Sequence, residues 1–119
     1  MILKKPLTTL FALLFITIGY AEKPIVRVGD WYYKQFDYRK AIGFYERALK
    51  KDEKNVYVMQ KVADSYRLIN NWSKAESFYA KLAANENANV INKLYYAEAL
   101  RSNQNMRKQK FTTSSILMW

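Results

Sequence analysis

The stretch Gly29–Leu49, GDWYYKQFDYRKAIGFYERAL, decides how this chain folds, because it returns about 34 residues later as Ala63–Ala83, ADSYRLINNWSKAESFYAKLA. In that register aromatic residues fall on aromatic residues and alanine falls on alanine. The matched pairs are Tyr32 with Tyr66, Tyr38 with Trp72, Ala41 with Ala75 and Tyr45 with Tyr79. Self-similarity at a fixed period of about 34 residues is typical of helix pairs that stack into a solenoid. We therefore predict an all-α fold of repeated helical hairpins.

The composition of the 119 residues excludes several functions. Cysteine and histidine are both absent, which excludes disulfides, thiolate catalysis and acid–base schemes that need histidine. The net charge of +10 invites a nucleic-acid function, but residues 22–105 carry fifteen basic and ten acidic side chains with the signs interleaved. This pattern is typical of a solvated helical surface, so we expect no nucleic-acid partner.

The amino terminus has the pattern of a secretory signal peptide. Residues 1–21 contain two lysines, an apolar run from Leu7 to Ile18, and small residues before a cut after Ala21. The alternative is a membrane anchor, but twelve residues span only about 18 Å as a helix, short of a hydrocarbon core of about 30 Å. We predict export, cleavage near Ala21, and a mature chain in the periplasm or outer membrane.

Two full repeat units are predicted, residues 22–55 and residues 56–89, each with two helices. The four helices are expected at about 24–35, 38–50, 56–69 and 72–84. Asp37 can cap the second helix, Asn70 or Asn71 can end the third in the left-handed conformation, and Ser73-x-x-Glu76 predicts a capping box at the fourth. The predicted buried positions are Ala41, Tyr45, Ala48, Leu49, Met59, Val62, Ala63, Tyr66, Ala75, Phe78, Tyr79 and Leu82.

From Glu22 to about Arg101 the chain resembles the tetratricopeptide repeat family. The resemblance is carried by a small residue at place eight of each unit (Gly29, Ala63, Ala97), an aromatic three places later (Tyr32, Tyr66) and alanine at place twenty (Ala41, Ala75). The departures are Glu53 and Asn87 in place of the usual proline and Leu82 in place of the usual alanine. The resemblance implies a right-handed solenoid with a concave groove for a protein or peptide partner.

The resemblance also implies which residues meet that partner, because the first helix of each pair lines the groove. The predicted contact residues are Asp30, Tyr33, Lys34, Tyr57, Gln60, Asp64, Arg67, Glu98 and Arg101. An acid stands at place nine of every unit, with a base three or four residues later. This arrangement is either an intrahelical ion pair, worth a few tenths of a kcal/mol, or a charged stripe that holds an extended or helical peptide.

The third unit is partial and covers residues 90–105. It predicts one helix from about 90 to 101, with Leu94, Ala97 and Leu100 directed inward. With no second helix in this unit, an apolar face would be uncovered, and we expect marginal stability.

Residues 106–119 no longer fit the repeat and are predicted to lose the helical period. One set of synonymous codons for this tail, read one base upstream, encodes YEEAKVYYQQYLDV. That peptide places tyrosine, alanine and tyrosine at the positions of Met106, Gln109 and Thr113, as the register demands. We therefore expect a frameshifted fragment of a longer tetratricopeptide protein; the alternative is a short protein with a divergent tail.

No catalytic constellation is present. The pairs Ser73–Lys74 and Ser77–Lys81 could be imagined as serine–lysine dyads, but no base, orienting group or oxyanion donor converges on them. We expect no enzyme activity, no cofactor and no metal site.

The leader and two stretches, YYxxxxYxKAIxxYERALKKD and RLxNNWxxAExxYAK, resemble OmpA-like outer-membrane proteins of the Bacteroidetes kind. Those proteins carry such repeats ahead of a β-propeller-like region and a peptidoglycan-binding domain. The resemblance implies a non-catalytic interaction scaffold of the cell envelope, associated with the outer membrane or peptidoglycan through carboxy-terminal domains. The alternative is a periplasmic accessory subunit of an enzyme or transport complex.

Overall fold

A computed structural model describes residues 24–118, which are all-helical and contain no strand. The predicted signal peptide, residues 1–21, lies outside the described residues. The helices are α1 (24–34), α2 (Tyr38–Lys51), α3 (Val56–Leu68), α4 (Trp72–Ala83) and α5 (Val90–Leu117). The predicted all-α repeat fold is confirmed, with α1–α2 and α3–α4 as the two hairpins. None of these helices combines the length and apolar character needed to cross a membrane.

Both hairpins turn through the same backbone geometry. Phe36 and Asn70, at equivalent places, have φ values of 61° and 60°. In each turn two N–H groups bond back to carbonyls of the ending helix, which is the Schellman motif. The four bonds run from Phe36 to Tyr33, Asp37 to Tyr32, Asn70 to Arg67 and Asn71 to Tyr66, with N···O distances of 2.9–3.0 Å. The left-handed conformation predicted at Asn70 is confirmed, whereas Phe36 was not expected there because bulky residues seldom have positive φ.

Each turn leads into a helix that begins at a side-chain cap. Asp37 Oδ1 accepts the N–H of the residue three places later at 3.2 Å, as predicted. At α4 the cap is Asn71, whose Oδ1 accepts the corresponding N–H at 3.3 Å. The capping box predicted at Ser73 and Glu76 is wrong, because Asn71 already occupies the cap and Ser73 lies inside α4.

The core runs along the seams between consecutive helices. Tyr45 and Tyr79 are its largest side chains, and both are 0% exposed. Nine of the twelve positions predicted to be buried are buried, and the other three, Leu49, Met59 and Phe78, pack against the core half-buried. Equivalent aromatic pairs stack in the two hairpins: Tyr32 on Phe44 at 5.4 Å and Tyr66 on Phe78 at 5.9 Å between ring centroids.

The length of α5 is the main departure from the prediction. It begins at Val90 as expected but continues to Leu117 instead of ending near Arg101. Gln104 stands at the place where Phe36 and Asn70 turn the chain, yet it stays helical. A left-handed residue costs about 1–2 kcal/mol, and within the described residues no later helix packs back to offset that cost, so continuing the helix is favoured.

The predicted loss of the helical period over residues 106–119 did not end the helix, which continues to Leu117 through the weak helix formers Thr112 to Ser115. The hydroxyls of Thr112, Thr113 and Ser115 each donate to the carbonyl four residues earlier, at 2.9–3.0 Å. These bonds satisfy the hydroxyls inside the helix, which lets weak helix formers remain in it. Every residue from 104 to 118 is solvent-exposed.

The face of α5 that packs on the core differs from the predicted one. Leu94 is 60% exposed, Ala97 is exposed and Leu100 is half-buried, so the predicted inward face is wrong. The residues that α5 buries are Asn92, Ala99 and Asn103. The reason is that α4 covers α5 from one side, whereas Ala97 and Leu100 stand where a following helix covers the equivalent residues of α3.

Candidate functional site

The first part of the predicted groove is a hydrogen-bonded cluster that joins three helices. Asp30 of α1 receives two tyrosine hydroxyls on the same carboxylate oxygen, Oδ1. Tyr45 of α2 donates at 2.6 Å and Tyr57 of α3 donates at 2.9 Å. The Tyr45 ring is fully buried, while Tyr57 is 52% exposed. Asp30 therefore ties the groove surface to the core.

The second cluster repeats this arrangement one unit later. Asp64 Oδ1 accepts the Tyr79 hydroxyl at 2.5 Å and the Gln60 side-chain amide at 3.1 Å. Arg67 Nε donates to the same Tyr79 hydroxyl at 3.3 Å. The Arg67 guanidinium also lies 4.4 Å from the centroid of the Tyr95 ring, within the range of a cation–π contact. Three predicted groove residues are thus connected: Gln60 bonds Asp64 directly, and Asp64 and Arg67 meet at the Tyr79 hydroxyl.

In both clusters the acid and the buried tyrosine are 15 residues apart. The intrahelical ion pair considered for these acids does not form at Asp64 and Arg67, which instead meet through the Tyr79 hydroxyl. Among the described residues the ion pair within 4.0 Å is Lys40 with Asp37, at 3.1 Å, outside the groove. Asp30 and Asp64 therefore act as acceptors that hold the second helix of their own hairpins.

The remaining predicted groove residues are less closely joined. The Tyr33 ring lies beneath the Lys61 ammonium, with 4.1 Å between Nζ and the ring centroid. Lys34 and Arg101 are exposed and Glu98 is half-buried. The residue 15 places after Glu98 is Thr113, which lies on the same helix and cannot fold back to it. Glu98 is thus the acid whose tyrosine counterpart is missing within residues 24–118.

A cleft of about 880 Å³ opens between α3, the α4–α5 connector and α5. Its walls include Tyr57, Gln60 and Asp64 from the predicted groove, together with Tyr95 and Asn92. Asn92 is 6% exposed, and its side-chain oxygen has no hydrogen-bond partner in the described part of the chain. A buried acceptor without a partner is costly, and a donor group entering the cleft would satisfy it.

The environment keeps the groove tyrosines protonated. Burial, followed by the hydrogen bond to Asp30, raises the pKa of Tyr57 to about 12. The same two causes raise the pKa of Tyr45, and burial with the bond to Asp64 raises the pKa of Tyr79. Since an unperturbed tyrosine has a pKa of about 10, these hydroxyls remain donors at neutral pH.

Sequence reasoning treated Tyr45 and Tyr79 as packing residues and missed that their hydroxyls meet the groove acids. The signal was available, because the spacing from Asp30 to Tyr45 recurs from Asp64 to Tyr79. Asn92 gave no such signal, since the equivalent residue of the second unit is the apolar Val58. Residues 24–118 contain no group of three His, Cys, Asp or Glu side chains that could hold a metal ion.

Two equivalent helical hairpins, α1–α2 and α3–α4, define an all-helical repeat fold. Residues 25–55, which include α2 and most of α1, match the tetratricopeptide repeat family model. The second hairpin repeats the turn, the aromatic stack and the acid–tyrosine bond of the first. No match was found among curated proteins. Because tetratricopeptide repeats stack to form extended concave binding surfaces, the match indicates a protein–protein interaction scaffold.

Proposed function

We propose that the chain is a non-catalytic scaffold that holds a peptide segment of a partner protein in the groove along α1, α3 and α5. The observation that carries the proposal is the 880 Å³ cleft beside the acid–tyrosine clusters. The clusters brace the wall of the cleft, so little side-chain freedom is lost when a partner binds. Such preorganisation favours affinity because fewer side chains have to be ordered on binding.

The chemistry of the groove favours a mixed apolar and polar segment over a strongly basic one. Asp30 and Asp64 already accept tyrosine hydroxyls, so their charges are partly engaged. The half-exposed rings of Tyr57 and Tyr95 offer apolar contact area, and the unpartnered oxygen of Asn92 offers an acceptor. A partner segment with an apolar side chain next to an N–H donor would complement these features.

Photo-crosslinking tests the groove in the full chain. A benzophenone amino acid replaces Ile91, which lines the cleft and whose side chain makes no hydrogen bond. The control carries it at Phe36, which is 78% exposed on the α1–α2 turn. We expect irradiation in the producing cells to give a defined protein adduct from position 91 and none from position 36. Equal adducts from both positions, or none from position 91, would contradict the proposal.

We further propose that the scaffold acts in the cell envelope, as the amino-terminal module of an OmpA-like protein associated with the outer membrane or peptidoglycan. The proposal is supported by the leader pattern of residues 1–21 and by the resemblance described above. Leu13→Arg interrupts the apolar run, whereas Leu3→Arg adds a cation where lysines already stand. Fractionation should find the control chain outside the cytoplasm and the Leu13→Arg chain retained; retention of both would refute export.

A periplasmic accessory subunit is the second candidate, and the nucleotide sequence beyond codon 119 separates the two. A neighbouring reading frame that continues the third unit into an OmpA-type domain supports the first candidate. A stop codon soon after codon 119 in every frame supports the second.

A further inference from the structure

In each hairpin, the same three features pack the first helix against the second. A small residue, Gly29 or Ala63, allows close approach and is buried. The second helix of the hairpin, called the covering helix, packs over this small residue. The acid that directly follows the small residue accepts a tyrosine hydroxyl from the covering helix, and the aromatic residue three places after the small residue stacks on it. The covering helix supplies an alanine and, four residues later, that tyrosine. These residues are Ala41 with Tyr45 and Ala75 with Tyr79, all 0% exposed.

Helix α5 has residues at the places of the small residue, the acid and the aromatic, but within the described residues no covering helix supplies the alanine and the tyrosine. Ala97 stands at the place of Gly29 and Ala63 but is solvent-exposed. Leu100, at the place of the stacked aromatic, is half-buried, and Glu98 stands at the place of the acids. The residues that would supply the alanine and the tyrosine are Gln109 and Thr113, which continue α5 itself. The face made of Tyr96, Ala97 and Leu100, with Glu98 at its edge, is called the open face below.

The open face is held in place from the opposite side of the helix. Asn103 donates a hydrogen bond of 2.6 Å to Glu76 of α4, and the rings of Tyr95 and Tyr79 lie 5.5 Å apart. Ala99 is fully buried in the same seam. The first part of α5 is therefore docked on α4 and presents the open face in a fixed orientation.

We infer that the open face is a docking site for an amphipathic helix of a partner protein, with an alanine at the crossing point and a tyrosine four residues later. The alanine would allow close approach to Ala97, and the tyrosine hydroxyl would donate to Glu98. The part of a second copy that the structure describes does not offer such a helix, because the alanine and tyrosine of α2 and of α4 are fully buried in their own hairpins. The inference does not depend on what the groove binds.

A peptide with the sequence of residues 71–84, NWSKAESFYAKLAA, is a probe with this chemistry and includes its own cap. Fluorescence anisotropy of the labelled peptide is measured against the full chain. Ala97→Gln places a long side chain at the crossing point and should abolish binding without changing the melting temperature, because Ala97 is exposed. The matched control is Ala84→Gln, at another exposed alanine, which should bind as the unaltered chain does. Equal loss in both variants, or no binding to the unaltered chain, would overturn the inference.

The hydrogen bond to Glu98 is tested by a double-mutant cycle across the interface. We expect Glu98→Ala to weaken binding about tenfold, and a peptide with phenylalanine in place of its Tyr79 equivalent to weaken it equally. Combining the two should weaken binding no further, because both changes remove one bond. Glu86→Ala, in the exposed α4–α5 connector, is the control for lost charge and should have no effect. Additive losses in the cycle would refute the assigned contact.

Self-association through the open face is the remaining outcome. Light scattering of the full chain without peptide should give the same mass for the unaltered chain and for Leu100→Asp. A dimer that Leu100→Asp dissociates would show that a second copy covers the face and would overturn the proposed occupant. Peptide binding uses purified chain alone, so it can succeed or fail independently of the crosslinking from Ile91.

Discussion

Adding one methyl group at Gly29 should destabilise the protein, although the same change at Gly43 should stabilise it. Both glycines lie inside helices, where alanine is favoured over glycine by about 1 kcal/mol. A Cβ at Gly29 would lie 2.7 Å from Cε1 and 2.8 Å from Cδ1 of Tyr45. A Cβ at Gly43 would meet no atom within 4 Å.

The magnitude depends on whether the Tyr45 ring can move away. The ring is 0% exposed, and its hydroxyl is held by Asp30 at 2.6 Å, so it has little room to shift. Overpacking of this kind costs about 1–3 kcal/mol, which offsets or exceeds the helix-propensity gain. We expect Gly29→Ala to lower the free energy of unfolding by up to about 2 kcal/mol, and Gly43→Ala to raise it by about 1 kcal/mol.

Urea unfolding followed by circular dichroism measures both variants under the same conditions. In a domain of this size each kcal/mol corresponds to about 4–8 °C in melting temperature, so thermal unfolding gives an independent reading. In a Tyr45→Leu background, where the ring is absent, adding Gly29→Ala should cause little or none of this loss relative to Tyr45→Leu alone. If Gly29→Ala stabilises the protein as much as Gly43→Ala does, the proposed close contact between α1 and α2 is refuted.

Three further predictions concern the turn, the groove and the cleft. Phe36→Gly should stabilise the protein by about 1 kcal/mol, because glycine adopts positive φ without strain, whereas Phe36→Ala should not; equal unfolding midpoints would contradict this. Burial and the bond to Asp30 raise the pKa of folded Tyr57 to about 12, so its contribution to the free energy of unfolding is complete below about pH 10 and is lost as the pH rises through about 12. Tyr57→Phe should therefore flatten the decline of stability at alkaline pH, measured by unfolding in a pH series. An unchanged slope would count against the bond to Asp30. Asn92→Val introduces the residue found at the equivalent position of the second unit, Val58. It should raise the free energy of unfolding in urea by about 1–2 kcal/mol, because a buried oxygen without a hydrogen-bond partner is removed. A lower free energy of unfolding would mean that the Asn92 oxygen has a partner.

The helices that follow the repeat were predictable from the sequence because two copies of one pattern confirm each other. Ala41 and Ala75, with Tyr45 and Tyr79, mark the seams, and the bounds of α2 and α4 fall within one residue of the predicted ones. The left-handed Phe36 was not predictable from its residue type. Its conformation is imposed by the return of α2 onto α1, which is a tertiary effect that local propensity does not contain.

The errors on α5 arise from the same cause. The repeat register placed Leu94, Ala97 and Leu100 inward, which assumes a covering helix that the described residues do not contain. Without it, burial is decided by α4 alone, and the helix continues through Gln104. The recurrence of the acids Asp30 and Asp64 was visible in the sequence, but their tyrosine partners depend on which hydroxyls reach across the hairpin, which a helical period does not specify.

The central claim is that the acid at place nine of each full unit, Asp30 or Asp64, joins the two helices of its own hairpin and thereby braces the predicted groove. A double-mutant cycle of Asp64→Ala and Tyr79→Phe, measured by urea unfolding, tests this most directly. A charged hydrogen bond of this kind predicts a coupling free energy of about 1–2 kcal/mol, so the double variant should lose clearly less stability than the two single losses combined. Losses that simply add would show that Asp64 does not hold Tyr79, and would contradict the account.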